Sequence, residues 1–257
     1  MSREHYFSRG VFLAETVNVA GPLPSAMTPG MRHINDLVTK CLCRKHNQEL
    51  SPLDQALIDL FNSIRECERL MKVRKRIARK WPAYTRLVVD GPRIQRCVYK
   101  MILSHAVLQK ERLDGWRPPT WLADVAFGKR EIPQGSGIAK LARIGDQLGG
   151  HEDIGFGFGE NLQGVPDCAV LTLRSGWKFF CNWDRPVRTL DHVSYGDVVY
   201  TQNNILCPPK RVEYTDGDRK LGISLDFDWS GSWSERRNGN VVKLRSKYAA
   251  PSRPGSR

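Results

Sequence analysis

Residues 41–54 read Cys-Leu-Cys-Arg-Lys-His-Asn-Gln-Glu-Leu-Ser-Pro-Leu-Asp. Two signals overlap in this stretch. The second half carries helix-start chemistry. Ser51 suits an N-cap, and Pro52 suits the first helical position, where its missing N–H costs nothing. Asp54 falls where a capping-box carboxylate belongs. Leu53, Leu57, Leu60, Phe61, Ile64 and Met71 then recur close to a 3.6-residue period. The spacing predicts a helix from Ser51 to about Lys80, stopped by Trp81-Pro82. The first half carries ligand chemistry. Cys43 and His46 stand at C-x2-H spacing, directly followed by Asn47. Zinc takes thiolate and imidazole at this spacing, usually with four ligands in all. Cys43 and His46 are therefore half of a candidate structural zinc site, and His33 and Cys41 are the nearest residues that could complete it. The competing reading is a buried thiol and a surface imidazole.

Upstream lie two further elements. Glu4-His5 sits within SREHYFSRGVF, and Asn35 within RHINDLV. The order along the chain is E-H, a loop, N, C-x2-H-N and a helix. This order resembles the HNH nuclease family and its ββα-metal fold. In that comparison EHYFSR stands for the first strand, INDLV carries the middle Asn, and CRKHN stands where the family has C-x2-C-N. His46 thus occupies the position of the second cysteine. The family's upstream C-x2-C is not among the three residues given before Glu4, so the expectation is a start placed too late, a site that has decayed, or completion by other residues. The resemblance covers about the first 60 residues. It implies that His5 is the general base, that Glu4 and Asn47 hold a catalytic divalent cation (Mg or Mn), and that Asn35 holds the loop so that His5 points at the phosphate. The chemistry is coherent. A neutral imidazole takes a proton from water near pH 7, and a hard cation prefers carboxylate and amide oxygens.

Net charge points the same way. The 257 residues carry 40 Lys plus Arg against 27 Asp plus Glu, a balance of +13. Such an excess favours nucleic acid or another polyanion and says nothing about fold. It is clustered. Lys72, Arg74, Lys75, Arg76, Arg79 and Lys80 occur with no acid between them, and are candidate DNA-backbone contacts, the alternative being a solvated helix face. A second basic stretch runs from Glu235 to Arg257. No run of 18 apolar residues occurs, and the amino end lacks the apolar core of a signal peptide, so the expectation is a cytoplasmic protein with no membrane partner. Seven cysteines without a regular framework fit a reducing compartment. Nothing in the chain indicates a small-molecule cofactor, and the oligomeric state is left open.

The remainder fills out an α+β chain. TRLVV at 85–89 reads as a strand, and Asp90-Gly91-Pro92 opens a second helix with a stripe of Ile94, Cys97, Val98, Met101, His105 and Leu108. Cys97 and His105 on that stripe read as core residues. From about Glu131 the pattern becomes mostly antiparallel β. Cys168–Arg174 and Trp177–Trp183 flank Ser175-Gly176, and Arg211–Tyr214 and Leu221–Trp229 flank Asp216-Gly217. GFGFG at 155–159 lacks a phosphate loop's spacing and reads as a turn or bulged strand. Cys168, Cys181 and Cys207 read as small buried hydrophobes. Asp226 and Asp228 share one face of a strand, as solvent-facing acids or, less simply, a metal pair. The expected organisation is an HNH-like ββα-metal unit over 1–60, a helical region over 51–130, a β-rich region over 131–234 and a disordered basic tail over 235–257. The expected function is metal-dependent hydrolysis of DNA phosphodiester bonds. The alternative is an inactive zinc scaffold of the same type that binds nucleic acid without cutting it.

Overall fold

The computed structural model describes residues 4–5, 7–20, 30–39, 42–76, 84–108, 113, 115–140, 153–173, 177–184, 211–216 and 219–230. The basic tail, Cys41, Cys207, Arg79 and Lys80 lie outside the described residues. The class is α+β, with both sheets of three or more strands mixed. No described helix is long and apolar enough to cross a membrane.

Contacts divide the chain into two units with interleaved segments. One unit takes residues 1–58 and 91–209, and the other takes 59–90 and 210–257. The sequential division expected above therefore differs from the contact pattern. Parallel pairings join distant segments, and sequence texture alone does not reveal them.

In the first unit, β1 (Glu4–His5) pairs antiparallel with β4 (Val38–Thr39), with Glu4 opposite Thr39 and His5 opposite Val38. A six-stranded sheet has the order β3-β2-β7-β8-β9-β6. Its strands are β2 (Thr16–Ala20), β3 (Gly30–His33), β6 (Gly137–Lys140), β7 (Asp153–Glu160), β8 (Pro166–Leu173) and β9 (Trp177–Asn182). Pairings among β6 to β9 are antiparallel, as expected, whereas β2 joins β7 in parallel. GFGFG lies within β7 and is a strand rather than a turn; the register shift opposite Gly159/Glu160 puts the extra residue, Asp167, on β8.

Helix α2 (Gly91–Leu108) packs on β8, β9 and the short α3 (Trp121–Ala126). Ile94, Cys97, Val98, Met101 and His105 of its apolar stripe are buried. Polar groups fix its seating. Gln95 Nε2 donates to Phe180 O (2.8 Å), and Tyr99 OH donates to Asn182 O (2.7 Å) beside Ser136 Oγ. Burial of such groups is tolerated only with partners, so each bond also restricts how the helix sits on the sheet. Burial also pushes the Cys181 thiol well above its ordinary pKa. That is consistent with its reading as an inert core residue.

The long helix α1 (Arg44–Lys75) begins seven residues before Ser51, with Pro52 inside it. Ser51 and Asp54 are therefore not its cap. Leu50 is buried, and the Asn47 N–H donates to Cys43 O (3.0 Å), so the turns before Pro52 gain both packing and hydrogen bonding. Pro52 removes one interior bond without ending the helix. Leu53, Leu57, Leu60, Phe61 and Ile64 are buried as the period predicts, and Met71 is half-buried.

The second unit takes α1 from Asp59 onward and a three-stranded sheet of order β10-β11-β5. Strand β5 (Thr85–Asp90) lies parallel to β11 (Arg219–Asp228), which pairs antiparallel with β10 (Arg211–Asp216). The register jumps so that Ile223 faces Tyr214 while Lys220 faces Thr215. Leu221 and Gly222 form a bulge, with Gly222 at φ +64°, a conformation glycine adopts at no steric cost. Arg74 fills this bulge. Its guanidinium donates to Leu221 O (2.7 Å), Gly222 O (2.6 Å) and Thr85 Oγ1 (2.6 Å), and only 2 % of the residue is exposed. This corrects the expectation for Arg74. A guanidinium held by two carbonyls and a hydroxyl inside the protein is not available to DNA phosphates. Lys72, Lys75 and Arg76 are exposed.

Asp226 is also corrected from a solvent-facing acid to a buried one. It sits 5 % exposed, ion-paired with Arg86 and Arg211, and accepts from Ser224 Oγ (2.9 Å). Asp228 Oδ1 accepts from the Ser230 N–H (2.9 Å). Burial pushes the Asp226 carboxyl up, but hydrogen bonds from Arg211 and Ser224 and the charges of Arg86 and Arg211 outweigh it and hold the pKa below the ordinary value.

Two outcomes follow for the second unit. Arg74→Met strands three acceptors and is expected to cost about 2–4 kcal/mol in urea titration, whereas Lys72→Ala stays within about 0.5 kcal/mol. The lowered pKa of Asp226 means that its stabilisation is complete above the unfolded carboxyl value, near 4, and disappears as pH falls through the lower folded value. Thermal melts should show Asp226→Asn less stable than the natural chain at pH 7, with the gap closing on acidification below about pH 4.

Candidate functional site

The amino-terminal segment reaches its position through buried anchors. Phe7 is buried, with its ring 6.4 Å from that of His105, which in turn lies 3.9 Å from the ring of Phe156 on β7. Ser8 precedes a 3-10 turn at Arg9–Val11, yet its hydroxyl does not cap that turn. It donates instead to Asp54 Oδ1 on α1 (2.6 Å). Lys100 Nζ of α2, 4 % exposed, lies 2.6 Å from the other oxygen, Asp54 Oδ2. Cys97 Sγ completes the cluster at 3.7 Å from Asp54 Oδ1 and 3.8 Å from Ser8 Oγ. Burial first, and the Asp54 charge second, push the Cys97 thiol far up, so it is held protonated. Gly10 lies close on the same helix. A Cβ there would come within 2.6 Å of Ile58 Cδ1.

These contacts hold β1 three residues upstream of Ser8. His5 is half-buried, with its Nδ1 shielded from solvent. Its strand partner Val38 follows a 3-10 turn at Ile34–Asp36 that carries Asn35. The turn is fastened by Ile34 N–H to Glu15 O (2.7 Å) and by Asn35 N–H to His33 Nδ1 (3.2 Å). The Asn35 side chain is exposed. Residues 42–47 then lead from β4 into α1, where Asn47 is half-buried in the first turn. The backbone thus runs β1, β4, α1 with His5, Asn35 and Asn47 in that order. Glu4 is placed by its backbone alone.

The zinc candidates are less closely grouped. His33 accepts from the Asn35 N–H through Nδ1, and its Nε2 lies 4.0 Å from Glu15 Oε2. Its ring therefore serves a local turn. Cys43 is an exposed free thiol. His46 sits edge-on to Phe127, with ring centroids 5.4 Å apart. Among the described residues no group of three or more His, Cys, Asp or Glu is placed to hold a metal ion. Cys43 and His46 supply two of the four ligands zinc usually takes.

Sequence reasoning missed the Ser8–Asp54–Lys100–Cys97 cluster. The available signal was Lys100, a cation between Tyr99 and Met101 on a helix with an apolar stripe, and such a residue needs a counter-charge when buried. Comparisons with protein-family models, with curated proteins and with solved structures found no match to this chain.

Asp54→Asn leaves the Lys100 ammonium buried without its counter-charge. The expected loss is about 3 kcal/mol, read from the shift in urea midpoint. Adding Lys100→Met to Asp54→Asn should recover part of that loss, since it removes the stranded charge. An equal or larger loss in the double variant would count against the ion pair as the cause.

Proposed function

We propose that the chain is an HNH-like, metal-dependent endonuclease that hydrolyses DNA phosphodiester bonds, with His5 as general base. One observation carries the reading. His5 lies on a strand paired antiparallel with the strand that follows Asn35, and the helix that follows carries Asn47 in its first turn. This strand and helix order supports the reading taken from E-H, N and C-x2-H-N in the sequence. The balance of +13 supports a polyanionic substrate.

The residue chemistry fits a hard divalent cation. Glu4 offers a carboxylate and Asn47 an amide carbonyl, both oxygen donors. Mg or Mn held there would neutralise charge on the leaving oxygen. His5 takes the proton from the attacking water as the water oxygen bonds to phosphorus. Its shielded Nδ1 leaves Nε2 as the nitrogen for that transfer. Asn35 acts as a positioning residue, at the turn that delivers the strand beside His5. Zinc fits less well. Cys43 and His46 lack further described ligands, so no step is derived through a second metal.

Plasmid nicking in Mg or Mn tests the proposal. His5→Ala is expected to lose at least about 10²-fold in rate, the usual contribution of a general base, with unchanged melting temperature. Equal nicking by the two proteins removes His5 from the chemistry, and with it this reading.

A further inference from the structure

Beside the first turn of α1 lies a cleft that the site above does not use. Its volume is about 230 Å³, and its walls come from Leu50, Leu103, Val107, Pro118, Pro119 and Phe127, among others. All of these residues belong to the first unit. Val107 is 57 % exposed at an otherwise apolar wall. The volume is below the roughly 300 Å³ at which pockets for drug-sized ligands begin, so the cleft suits a single ring system.

Cations adjoin the lining residues along the chain. Arg44 and Lys45, both exposed, follow Leu42, another lining residue. Exposed Arg117 immediately precedes Pro118. Lys129 Nζ stands 5.6 Å from the centroid of the Phe127 ring, and the Arg130 guanidinium lies 4.3 Å over Trp121. Glu49, Asp124 and Glu131 are the exposed acids on the same segments, so the segments that line the cleft carry a positive excess. Lys100 also lines the cleft, but its charge is matched by Asp54. The polar demand of an occupant therefore falls on the basic segments, and the apolar demand falls on the slot.

A flat apolar ring joined to a chain of negative charge answers both demands. We infer that the cleft receives one unpaired nucleobase of a single-stranded nucleic acid, while Arg44, Lys45, Arg117 and Lys129 take the flanking phosphates. Base faces gain from stacking on aromatic and apolar walls irrespective of sequence, and basic grooves track the backbone. His46 joins the two sites physically, since its ring rests on Phe127 at the cleft wall while Asn47 follows it in α1. The inference rests on the endonuclease reading and deepens it by naming unpaired or locally opened strands as the substrate.

The test is binding without metal. Fluorescence anisotropy of a labelled 15-nucleotide oligo-dT and of a duplex of equal length is measured in EDTA, with anionic phosphatidylserine vesicles as the competing ligand. The natural chain is expected to bind the single strand at least tenfold more tightly than the duplex. Val107→Asp, at an exposed wall position, should weaken single-strand binding about tenfold and leave duplex binding unchanged. Arg117→Glu with Lys129→Glu should weaken both and flatten the salt dependence. Equal affinity for the two nucleic acids, indifference to Val107→Asp, or preference for the vesicles overturns the cleft assignment. Oligo-dT binding by the natural chain with no plasmid nicking when Mg or Mn is supplied defeats the nuclease reading alone, and nicking without cleft-dependent binding defeats this inference alone.

Discussion

One carboxylate organises the first unit. Asp54 meets Ser8 from the amino-terminal segment and Lys100 from α2, partners each 46 residues away along the chain. A surface pair of this kind would contribute little, because side-chain entropy and solvent screening cancel most of the attraction. Here the ammonium is 4 % exposed, so the pair behaves as a unit. Breaking it strands a charge, while removing both partners is far less costly. A cluster of this type selects one arrangement of three segments more than it adds net stability. That matters most for β1, which has only two residues and one short partner strand. Two ladder positions alone do not hold a strand end in water. Phe7 in the core and Ser8 on Asp54 supply what the ladder lacks.

The second unit uses a buried cation differently. The bulge at Leu221 and Gly222 leaves carbonyls out of the β ladder, and Arg74 takes them up from the far end of α1. Arginine suits this position because its planar fork offers several donors in fixed directions, which lysine cannot match. The basic run at 72–76 thus has two faces, with Arg74 turned inward and Lys72, Lys75 and Arg76 outward. Counting charges along the chain does not separate them. On a helix, residue 74 lies about 200° around the axis from residue 72, so one member of a charge run can be interior while its neighbours are not.

The legible parts of the sequence were those governed by local rules. The period of Leu53 to Ile64 and the stripe from Ile94 to His105 found buried helix faces. The Ser175-Gly176 and Asp216-Gly217 signals stood between segments that pair antiparallel. The start of α1 was misplaced because Ser51-Pro52 satisfies every local criterion for a cap, while the burial of Leu50 is a tertiary fact. The parallel pairings of β2 with β7 and of β5 with β11 were not legible, since neither has a short connection that leaves a turn signature. In the candidate site, the order of His5, Asn35 and Asn47 was readable. The anchor that places His5 was not, because Ser8, Asp54 and Lys100 are unremarkable residues until the fold brings them together.

This dependence bears on how such a site is built. Read by sequence texture, the first 60 residues look like a small unit with appended regions. The contacts place residues 1–58 in one unit with 91–209. Lys100 and Cys97 lie on α2, and Phe156, which touches His105 beneath Phe7, lies on β7. The helical and β-rich parts are therefore the scaffold on which the amino-terminal strand rests. A minimal ββα-metal unit commonly obtains its rigidity from a structural ion, since a core below about 40 residues buries too little apolar surface. In this chain the Asp54–Lys100 pair and the ring contacts of His105 position the strand carrying His5, so the order of that strand rests on the surrounding core.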